Sequence, residues 1–566
     1  MGEENREQQH DPAATPPPKG AGKSKTSLGP KRYGDDPSSA VDAQAALVMQ
    51  KGFLDDVIDG IQLGIITIVF ICLIFVAVFA GSLPTIFPAT QPLCDFVLGL
   101  PALLNSLPEY AMQAKDGFPQ SLEEAILLVS ATSAWFGQML HNMPYKECVL
   151  LFSWATYFWE AKLDIRQRDR LHEVRRPAAI SPFVSRQAYL EASAYGLDKS
   201  SLVLVKNAFV QAQTTAIIVY DLTPWMWNVV GDAMQTHAGL GPEYEISRSI
   251  AFFVVATLIS TVLSLPFDLY STFVVEKKHG FNKQTAGLFF SDMAKTLMLT
   301  FLLGSPILAL FLWVIGKTGS QFYLYAWALL AAVQLLIIII YPTFIQPLFN
   351  KYEPLPEGEL RTAIEALASR LGFPLKKLYV VDGSKRSSHS NAYVFGFFKS
   401  KRIVVFDTLI EQCTTEEIVA IIGHELGHWK KNHVLRMLAA VQVQTFVIFF
   451  AFSHFVGEQA MYKGFGMDTM PILIGFIFFQ YLYQPLDSVL TFANNVLSRM
   501  HEFEADEFSK KLGYGKQLAS SLIKLQIENK GNMNPDPLYS AYHYSHPPLV
   551  ERLNAINDPD VAPKTE

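Results

Sequence analysis

The sequence has 566 residues, of which half are hydrophobic and only 17% are charged, and its net charge is −6. A soluble domain usually has about 25% charged residues, so this composition, with a mean hydropathy of +0.20, indicates an integral membrane protein and excludes a disordered or collagen-like chain. The acidic balance predicts no nucleic acid partner, and the four cysteines lack the CxxC spacing of a thiolate zinc site.

The first 144 residues divide into two parts. Residues 1–58 are predicted to be a disordered N-terminal tail, because the first 50 contain few large apolar side chains. No charge occurs between Asp59 and Asp95, and the apolar block 61–83 reaches the length of about 20 residues that a transmembrane helix needs. We therefore expect residues 59–144 to form an additional membrane span and a lumenal segment.

Further apolar runs predict seven more spans at 145–164, 203–221, 248–271, 293–316, 322–346, 437–457 and 470–493. Lysine and arginine accumulate in cytosolic loops. The loop after 164 is rich in arginine and the loop after 271 in lysine, whereas 222–247 has no basic residue. Eight spans with both termini in the cytosol place each of these loops on its preferred side. The chain then divides into chamber helices at 145–347, a cytosolic catalytic lobe at 348–436, a membrane helix pair at 437–493 and a cytosolic C-terminal segment at 494–566.

The polar insert between the predicted spans at 322–346 and 437–457 has mixed secondary structure. Residues 359–370 have apolar side chains at helical spacing with Gly372 as a stop signal. Short β-branched and aromatic runs predict strands at 378–381, 393–398 and 403–406. Thr414 with Glu417 three residues later forms a capping box that opens another helix, which we expect to continue through Trp429. The expected lobe is therefore small and of the α+β type.

This capped helix contains the sequence His-Glu-Leu-Gly-His at 424–428. Histidines at i and i+4 lie one turn apart on one helix face, so both imidazoles of His424 and His428 can reach one Zn²⁺ ion. Glu425 lies about 100° around the helix from His424, where its carboxylate can hold a water molecule as a general base. The pattern predicts a metal centre with one Zn²⁺ per chain.

A catalytic zinc site needs a third protein ligand and an open position. Glu502 is the best candidate, because it follows the last span on the side of the lobe. His501 is a rival ligand, but adjacent helical residues diverge by about 100°, so only one of the two can bind the same ion. Asp506 lies one turn beyond Glu502, in a position to accept the outward N–H of a ligating imidazole. A charged, solvated helix remains the alternative interpretation of residues 498–512.

Several motifs in the same order resemble the type I CAAX prenyl endopeptidases, which are multispanning zinc metalloproteases of the endoplasmic reticulum. The resemblance covers about residues 145–555, including the motifs at 241–246, 276–282, 383–393, 423–429 and 544–553. It implies a mainly α polytopic membrane protein in which seven helices enclose a chamber, here with one extra N-terminal span and a small α+β lobe. The chain has Met-His at 500–501 where the family commonly has Arg-Phe.

The resemblance also implies residue roles. By position it assigns His424, His428 and Glu502 as zinc ligands and Glu425 as the catalytic base, and it gives Asp506 a supporting or proton-donating role. Asn391 and Ala392 match a strand that pairs with the substrate backbone, and His546 and Arg552 match groups near the metal that orient the substrate or stabilise the oxyanion. Without the family, His546 could equally be a residue that starts a helix before two prolines.

The expected activity is hydrolysis that releases the C-terminal tripeptide from prenylated CAAX proteins. The expected partners are those proteins, or other membrane-associated polypeptides, and the lipid bilayer. The implied location is the endoplasmic reticulum membrane, with the inner nuclear membrane as an open second location and the active site facing the cytosol. Two alternatives remain at this point: a quality-control metalloprotease with broad, non-prenylated substrates, and a channel, transporter or scaffold with a degenerate site.

Overall fold

The computed structural model describes residues 138, 140–396 and 401–557. The predicted tail at 1–58, the predicted span at 61–83 and nearly all of the lumenal segment up to 144 lie outside these residues. Phe397 and Phe398, which end one of the predicted strands, lie outside them as well.

Most described residues are helical. In chain order, the helices are α1 Tyr145–Leu171, α2 Arg186–Val219, α3 Leu222–Ala238, α4 Glu245–Tyr270, α5 Ala286–Thr318, α6 Phe322–Ile340, α7 Glu359–Leu371, α8 Asp407–Gln412, α9 Thr415–Lys430, α10 His433–Phe455, α11 Gln459–Gly464, α12 Ile472–Ser509, α13 Gly515–Glu528, α14 Pro537–His543 and α15 Leu549–Asn557. The mainly α architecture is confirmed. Helix α3 lies in the region 222–247, which the sequence predicted only as a loop between spans.

Five helical segments among the described residues are long and apolar enough to cross a membrane: Arg186–Val219, Glu245–Glu276, Ala286–Leu348, His433–Phe455 and Ile472–Glu528. The third of them contains two of the predicted spans, as α5 and α6 joined by a 3₁₀ turn at Gly319–Gln321. The chain is thus polytopic. Helix α1 covers the predicted span at 145–164 but is not among the five, so the full count of seven plus one stays a prediction.

The membrane-length helices expose apolar side chains around their outer surface. Val262 in α4 is 66% exposed and Leu302 in α5 is 63% exposed. Exposed apolar side chains are compatible with a lipid environment, because lipid tails are as apolar as the side chains themselves.

The lobe between α6 and α10 contains a four-stranded sheet. Its strands are β1 Tyr352–Pro354, β2 Leu375–Val381, β3 Ala392–Phe395 and β4 Lys401–Phe406, in the order β1-β2-β4-β3. Strands β2 and β4 are parallel, and the other two pairs are antiparallel. A core that includes Ile364, Ile403 and Ile422, each fully buried, joins the sheet to α7 and α9. The expected α+β lobe is confirmed, and β1 is an addition to the predicted strands.

Helix α12 connects the membrane region directly to the lobe. The predicted span at 470–493 does not end before the segment that carries Glu502, because the helix continues without a break through Ser509 and contains Pro485. Helix α12 packs against α9. A Cβ atom on Gly427 would lie 3.2 Å from the Cα atom of Ala505, so glycine at this position permits the close approach of the two helices.

Candidate metal centre

Helix α9 begins with the predicted capping box. The Thr414 hydroxyl accepts from the Glu417 amide at 3.4 Å, and the Glu417 carboxylate accepts from the Thr414 amide at 2.9 Å. Glu417 also accepts from Ser520 and Lys524 of α13, each at 2.7 Å. Burial would raise the pKa of Glu417, but the hydrogen bonds from Lys524 and Ser520 outweigh it and hold the pKa below its ordinary value. The start of the helix is thereby fixed both locally and to the C-terminal segment.

The structure brings His424, His428 and Glu502 together. The two Nε2 atoms lie 3.1 Å apart. The Glu502 carboxylate oxygens lie 3.5 Å from Nε2 of His424 and 3.3 Å from Nε2 of His428. One potential ligand atom from each residue lies within 4.8 Å of the other two. The histidines come from α9 and the glutamate from α12, so the packing of these two helices creates the cluster.

Asp506 contacts the Nδ1 atom of His424, and Arg552 in turn pairs with Asp506. The Nδ1 atom of His424 lies 2.8 Å from Oδ1 of Asp506, and this contact places the imidazole proton on Nδ1 and leaves Nε2 as a lone pair. Arg552 donates to both oxygens of Asp506, from Nε at 2.8 Å and from Nη2 at 2.6 Å. Burial would lower the pKa of His424, but Asp506 and Glu502 outweigh it and raise the pKa to about 9. The surroundings of His424 therefore favour a positive charge at Nε2, which either a second proton or a bound metal ion can supply.

His428 is held by a contact that the sequence analysis did not predict. Its Nδ1 atom lies 2.9 Å from Nδ1 of His433, and Nε2 of His433 lies 3.1 Å from Oε2 of Glu504. Glu504 fixes the proton of His433 on Nε2, so Nδ1 of His433 can accept from His428 and leave Nε2 of His428 as a lone pair. Asn432, with φ of 58°, makes the turn that returns His433 to α9.

A sequence signal for this contact exists but is weak. Asn432 directly precedes His433, and asparagine is one of the few residues that adopt the left-handed conformation with little strain. It marks a tight turn after the metal-binding helix. Nothing in the local sequence indicates that Glu504, which is 71 positions away, meets His433.

His501 has no ligand atom in the cluster of His424, His428 and Glu502. Its ring stacks on His433, with the ring centroids 4.1 Å apart and an interplanar angle of 8°. Its Nε2 atom is buried and has no hydrogen-bond partner among the described residues. His501, one of the two positions at which the chain differs from the common family pattern, therefore contributes a ring that stacks on His433. Glu502 is the residue that faces the two histidines.

Glu425 lies beside the cluster, and its side-chain carboxyl group makes no hydrogen bond within the described part of the chain. Burial raises the pKa of its carboxyl group, and the neighbouring His424 and His428 offset part of this rise. A carboxylate with a raised pKa and no fixed partner can accept a proton from a nearby molecule and release it again.

The remaining predicted site residues lie around this cluster or on the sheet next to α9. His546 is 66% exposed, and its Nε2 atom lies 3.4 Å from Oε1 of Glu502. Strand β3 pairs only with β4 within the described sheet, so it is an edge strand, and it packs against α9. The carbonyl of Asn391 accepts from the Phe406 amide at 3.1 Å, which turns the N–H and C=O of the next residue, Ala392, away from the sheet. The Asn391 side chain accepts from this Ala392 amide at 2.8 Å.

The residues present fit a bound metal ion. Two imidazole lone pairs and a carboxylate face one another, and Oε2 of Glu502 is buried without a hydrogen-bond partner among the described residues. A buried carboxylate oxygen that accepts no hydrogen bond is costly, and Arg552, 3.6 Å away, does not donate to it, so this arrangement of donors favours a bound cation. Two imidazoles and one carboxylate are a ligand set that suits Zn²⁺.

Comparisons with known proteins agree with this site. A family model described as the CAAX prenyl protease N-terminal domain with five membrane helices matches residues 167–351. The model of peptidase family M48 matches residues 354–560, which include the whole cluster. The first match contains helices α2 to α6.

Named relatives cover the same part of the chain. A CAAX prenyl protease 1 homolog of Oryza sativa subsp. japonica is 48% identical over 419 residues, which are 74% of this chain and 98% of that protein. The homolog of Homo sapiens is 41% identical over 462 residues and covers 74% of this chain and 97% of its own length. CAAX prenyl protease 1 of Saccharomyces cerevisiae is also 41% identical, over 436 residues, and covers 74% of this chain and 96% of its own length.

A solved structure resembles the described fold. The crystal structure of S. mikatae Ste24p superposes with a TM-score of 0.70 at 41% sequence identity, and the match covers 73% of this chain and 99% of that one. These matches confirm the family that the sequence motifs indicated. The chain is a multi-pass membrane metalloprotease that belongs to peptidase family M48, in the branch of the CAAX prenyl protease 1 proteins.

Proposed function

We propose that the chain is a zinc metalloendopeptidase that hydrolyses peptide bonds near the C-terminus of prenylated CAAX proteins and releases the C-terminal tripeptide. The observation that carries the proposal is the cluster of His424, His428 and Glu502, formed by two packed helices of a chain whose relatives are named CAAX prenyl proteases. One Zn²⁺ per chain would be held by these three residues. When bound, Zn²⁺ acts as a Lewis acid and lowers the pKa of water to near neutrality.

The protein's own residues carry the proton transfers and the positioning. Glu425 is the general base: its raised pKa lets it take a proton from the attacking water and deliver it to the leaving amine. Asp506 and Arg552 hold His424, and Glu504 acts through His433 to hold His428. In both histidines the lone pair on Nε2 points into the cluster. His546 lies at the open side of Glu502, where it can donate to the developing oxyanion.

The edge strand β3 offers a place for the substrate backbone. Ala392 presents its amide and carbonyl groups outward, so an extended peptide can pair there by adding a strand to the sheet. Because the Asn391 side chain occupies the Ala392 amide, the substrate must displace or share this hydrogen bond. Arg552 lies 3.6 Å from Glu502 and can also contact a substrate carbonyl beside the metal.

The membrane helices supply a reason for a lipid-modified substrate. A prenyl chain prefers the bilayer, whereas the peptide bond to be cut must reach water, and a membrane-embedded metalloprotease can accommodate both. We propose that the loops rich in arginine and lysine face the cytosol, which places the catalytic lobe there. The proposed location is the endoplasmic reticulum membrane, with the continuous inner nuclear membrane as a second one.

The alternative is a quality-control protease that cuts membrane-associated polypeptides without a prenyl group, since the same catalytic residues serve both substrates. Membership in a peptidase family with an intact donor set argues against a channel, transporter or scaffold.

The test compares the purified full-length protein with Glu425→Gln on two peptides of one sequence, one farnesylated and one unlipidated. We expect wild type to cleave the farnesylated peptide preferentially, and Glu425→Gln to retain its metal but lose cleavage by at least about a hundredfold, because general base catalysis contributes about 10²–10⁴-fold. Equal rates on both peptides would favour the quality-control protease. Cleavage that survives in Glu425→Gln would reject the assignment of the base.

The third ligand is tested by metal content. Glu502→Ala should lose bound zinc, whereas His501→Ala, a change at the adjacent position, should retain it. The opposite result would assign the ligand to His501.

A further inference from the structure

A pocket rich in arginine lies away from the metal centre, between α1 and α2. Arg175, Arg176 and Arg186 line a cavity of about 640 Å³ together with Glu173, Ser181 and Asn534. This volume is within the range of about 300–1,000 Å³ that is usual for small-molecule sites. We call it the arginine pocket; none of its lining residues belongs to the catalytic site.

The arginine pocket has an excess of positive charge. Its only acidic lining residue, Glu173, accepts from Arg170 at 2.8 Å and from Asn534 at 2.9 Å, so its carboxylate is already engaged. Arg176 donates to the backbone carbonyls of Ser181 and Val184. Within the described residues, no carboxylate forms an ion pair with Arg175, Arg176 or Arg186. Three guanidinium groups thus share a concave site without anionic partners.

The pocket is built on an ordered frame. Ile180 and Val184, from the loop that forms the pocket, are 0% and 1% exposed and pack in one core with Leu549 and Leu553 of α15. Asn534, which lines the pocket, donates to Glu173 from the C-terminal segment. A site whose walls are held by core packing costs little ordering entropy when it binds a ligand.

The beginning of α2 adds to the attraction for an anion. Ser185 caps this helix by accepting from the Ala188 amide at 3.1 Å, and the first turn contains no acidic residue. The partial positive charge of a helix N-terminus favours an anion nearby. Here it reinforces the guanidinium groups of the pocket, one of which, Arg186, is the first residue of the helix.

We propose that the arginine pocket binds a phosphate group, and that the source is the headgroup of an anionic membrane lipid. Arginine forms paired hydrogen bonds with phosphate oxygens, so three guanidinium groups match a phosphate monoester or diester. Val174, which lines the pocket, and Phe183, in the same loop, are 51% and 57% exposed, as expected for side chains that enter the lipid interface. Helix α2 is of membrane length, and basic pockets at such helices on the cytosolic side bind lipid headgroups.

The experiment uses fluorescence anisotropy to measure the binding of a fluorescent, short-chain phosphatidylinositol bisphosphate to the full-length protein in neutral detergent. We expect saturable binding that weakens with added salt. The double variant Arg175→Gln/Arg186→Gln should bind at least about tenfold more weakly, which corresponds to about 1.4 kcal/mol. The matched control Lys376→Gln/Lys377→Gln removes two exposed charges from β2 and should bind as wild type does.

Two further arms separate the sources of phosphate and exclude misfolding. Inorganic phosphate that competes as well as the unlabelled short-chain lipid would assign the pocket to free phosphate and overturn the lipid source. The Gln double variant should keep wild-type metal content, and Arg175→Lys/Arg186→Lys should restore part of the affinity because it retains the charge. Unchanged affinity in a folded Gln double variant, or no saturable binding by wild type, would overturn the proposal.

Discussion

His433 offers a direct test of how the structure holds a metal ligand. The change is His433→Phe, which keeps a flat ring for the stack on His501 but removes the acceptor 2.9 Å from Nδ1 of His428. The imidazole of His428 then loses the contact that sets its proton position and its orientation, and Glu504 loses its hydrogen bond from Nε2 of His433.

The magnitude follows from the kind of contact that is lost. Removing a group that orients a metal-bound histidine typically costs 10–100-fold in metal affinity or activity, which is about 1.4–2.7 kcal/mol at about 1.36 kcal/mol per factor of ten. Only one of the two histidines is affected, since His424 keeps Asp506 at 2.8 Å. We therefore expect partial retention of the metal rather than the complete loss expected for Glu502→Ala.

The assay follows transfer of zinc from the purified protein to a chromogenic chelator over time, with the metal content measured before and after. His433→Phe should release zinc at least about tenfold faster than wild type. His501→Phe is the matched control: it keeps the stacked ring and removes the two ring nitrogens, of which the buried Nε2 has no hydrogen-bond partner among the described residues, so its release rate should equal that of wild type. His433→Gln, which retains a hydrogen-bond acceptor, should recover part of the loss. Equal release rates for wild type and His433→Phe would refute the reasoning.

Two other predictions concern stability. Arg552→Met removes the guanidinium group that donates to both oxygens of Asp506, a residue that is 1% exposed. The change should lower the free energy of unfolding by about 3 kcal/mol, measured as a lower melting temperature, and adding Asp506→Asn should restore part of the loss. A melting temperature equal to that of wild type would contradict this. The pKa of Glu417 is held below its ordinary value, so its carboxylate stabilises the fold above the unfolded-state pKa of about 4.3, and this contribution is lost as the pH falls through the lower folded-state pKa. The difference in melting temperature between wild type and Glu417→Gln should therefore stay nearly constant from about pH 7 to about pH 5 and shrink as the pH falls below about 4.3 towards the folded-state pKa, and a difference that stays constant down to about pH 3 would count against the role of the buried carboxylate.

Features that depend on a few helical turns of local sequence could be predicted without knowledge of the fold. The capping box of Thr414 and Glu417 predicted the start of α9, and the i, i+4 spacing of His424 and His428 predicted that two imidazoles share one face. Both depend on helix geometry alone, which any helical segment reproduces. The apolar runs predicted membrane helices for the same reason, because a bilayer demands a fixed length of apolar residues.

The sequence by itself therefore determined the family, the membrane character and the metal-binding helix. The tertiary structure decided how the cluster is completed and supported. Only the packing of α9 against α12 shows Glu502, and not its neighbour His501, facing the two histidines. The support from Glu504 through His433 and the pairing of Arg552 with Asp506 both join residues tens of positions apart. Such contacts have no local signature, because they depend on how separate elements dock and not on the conformation of either one.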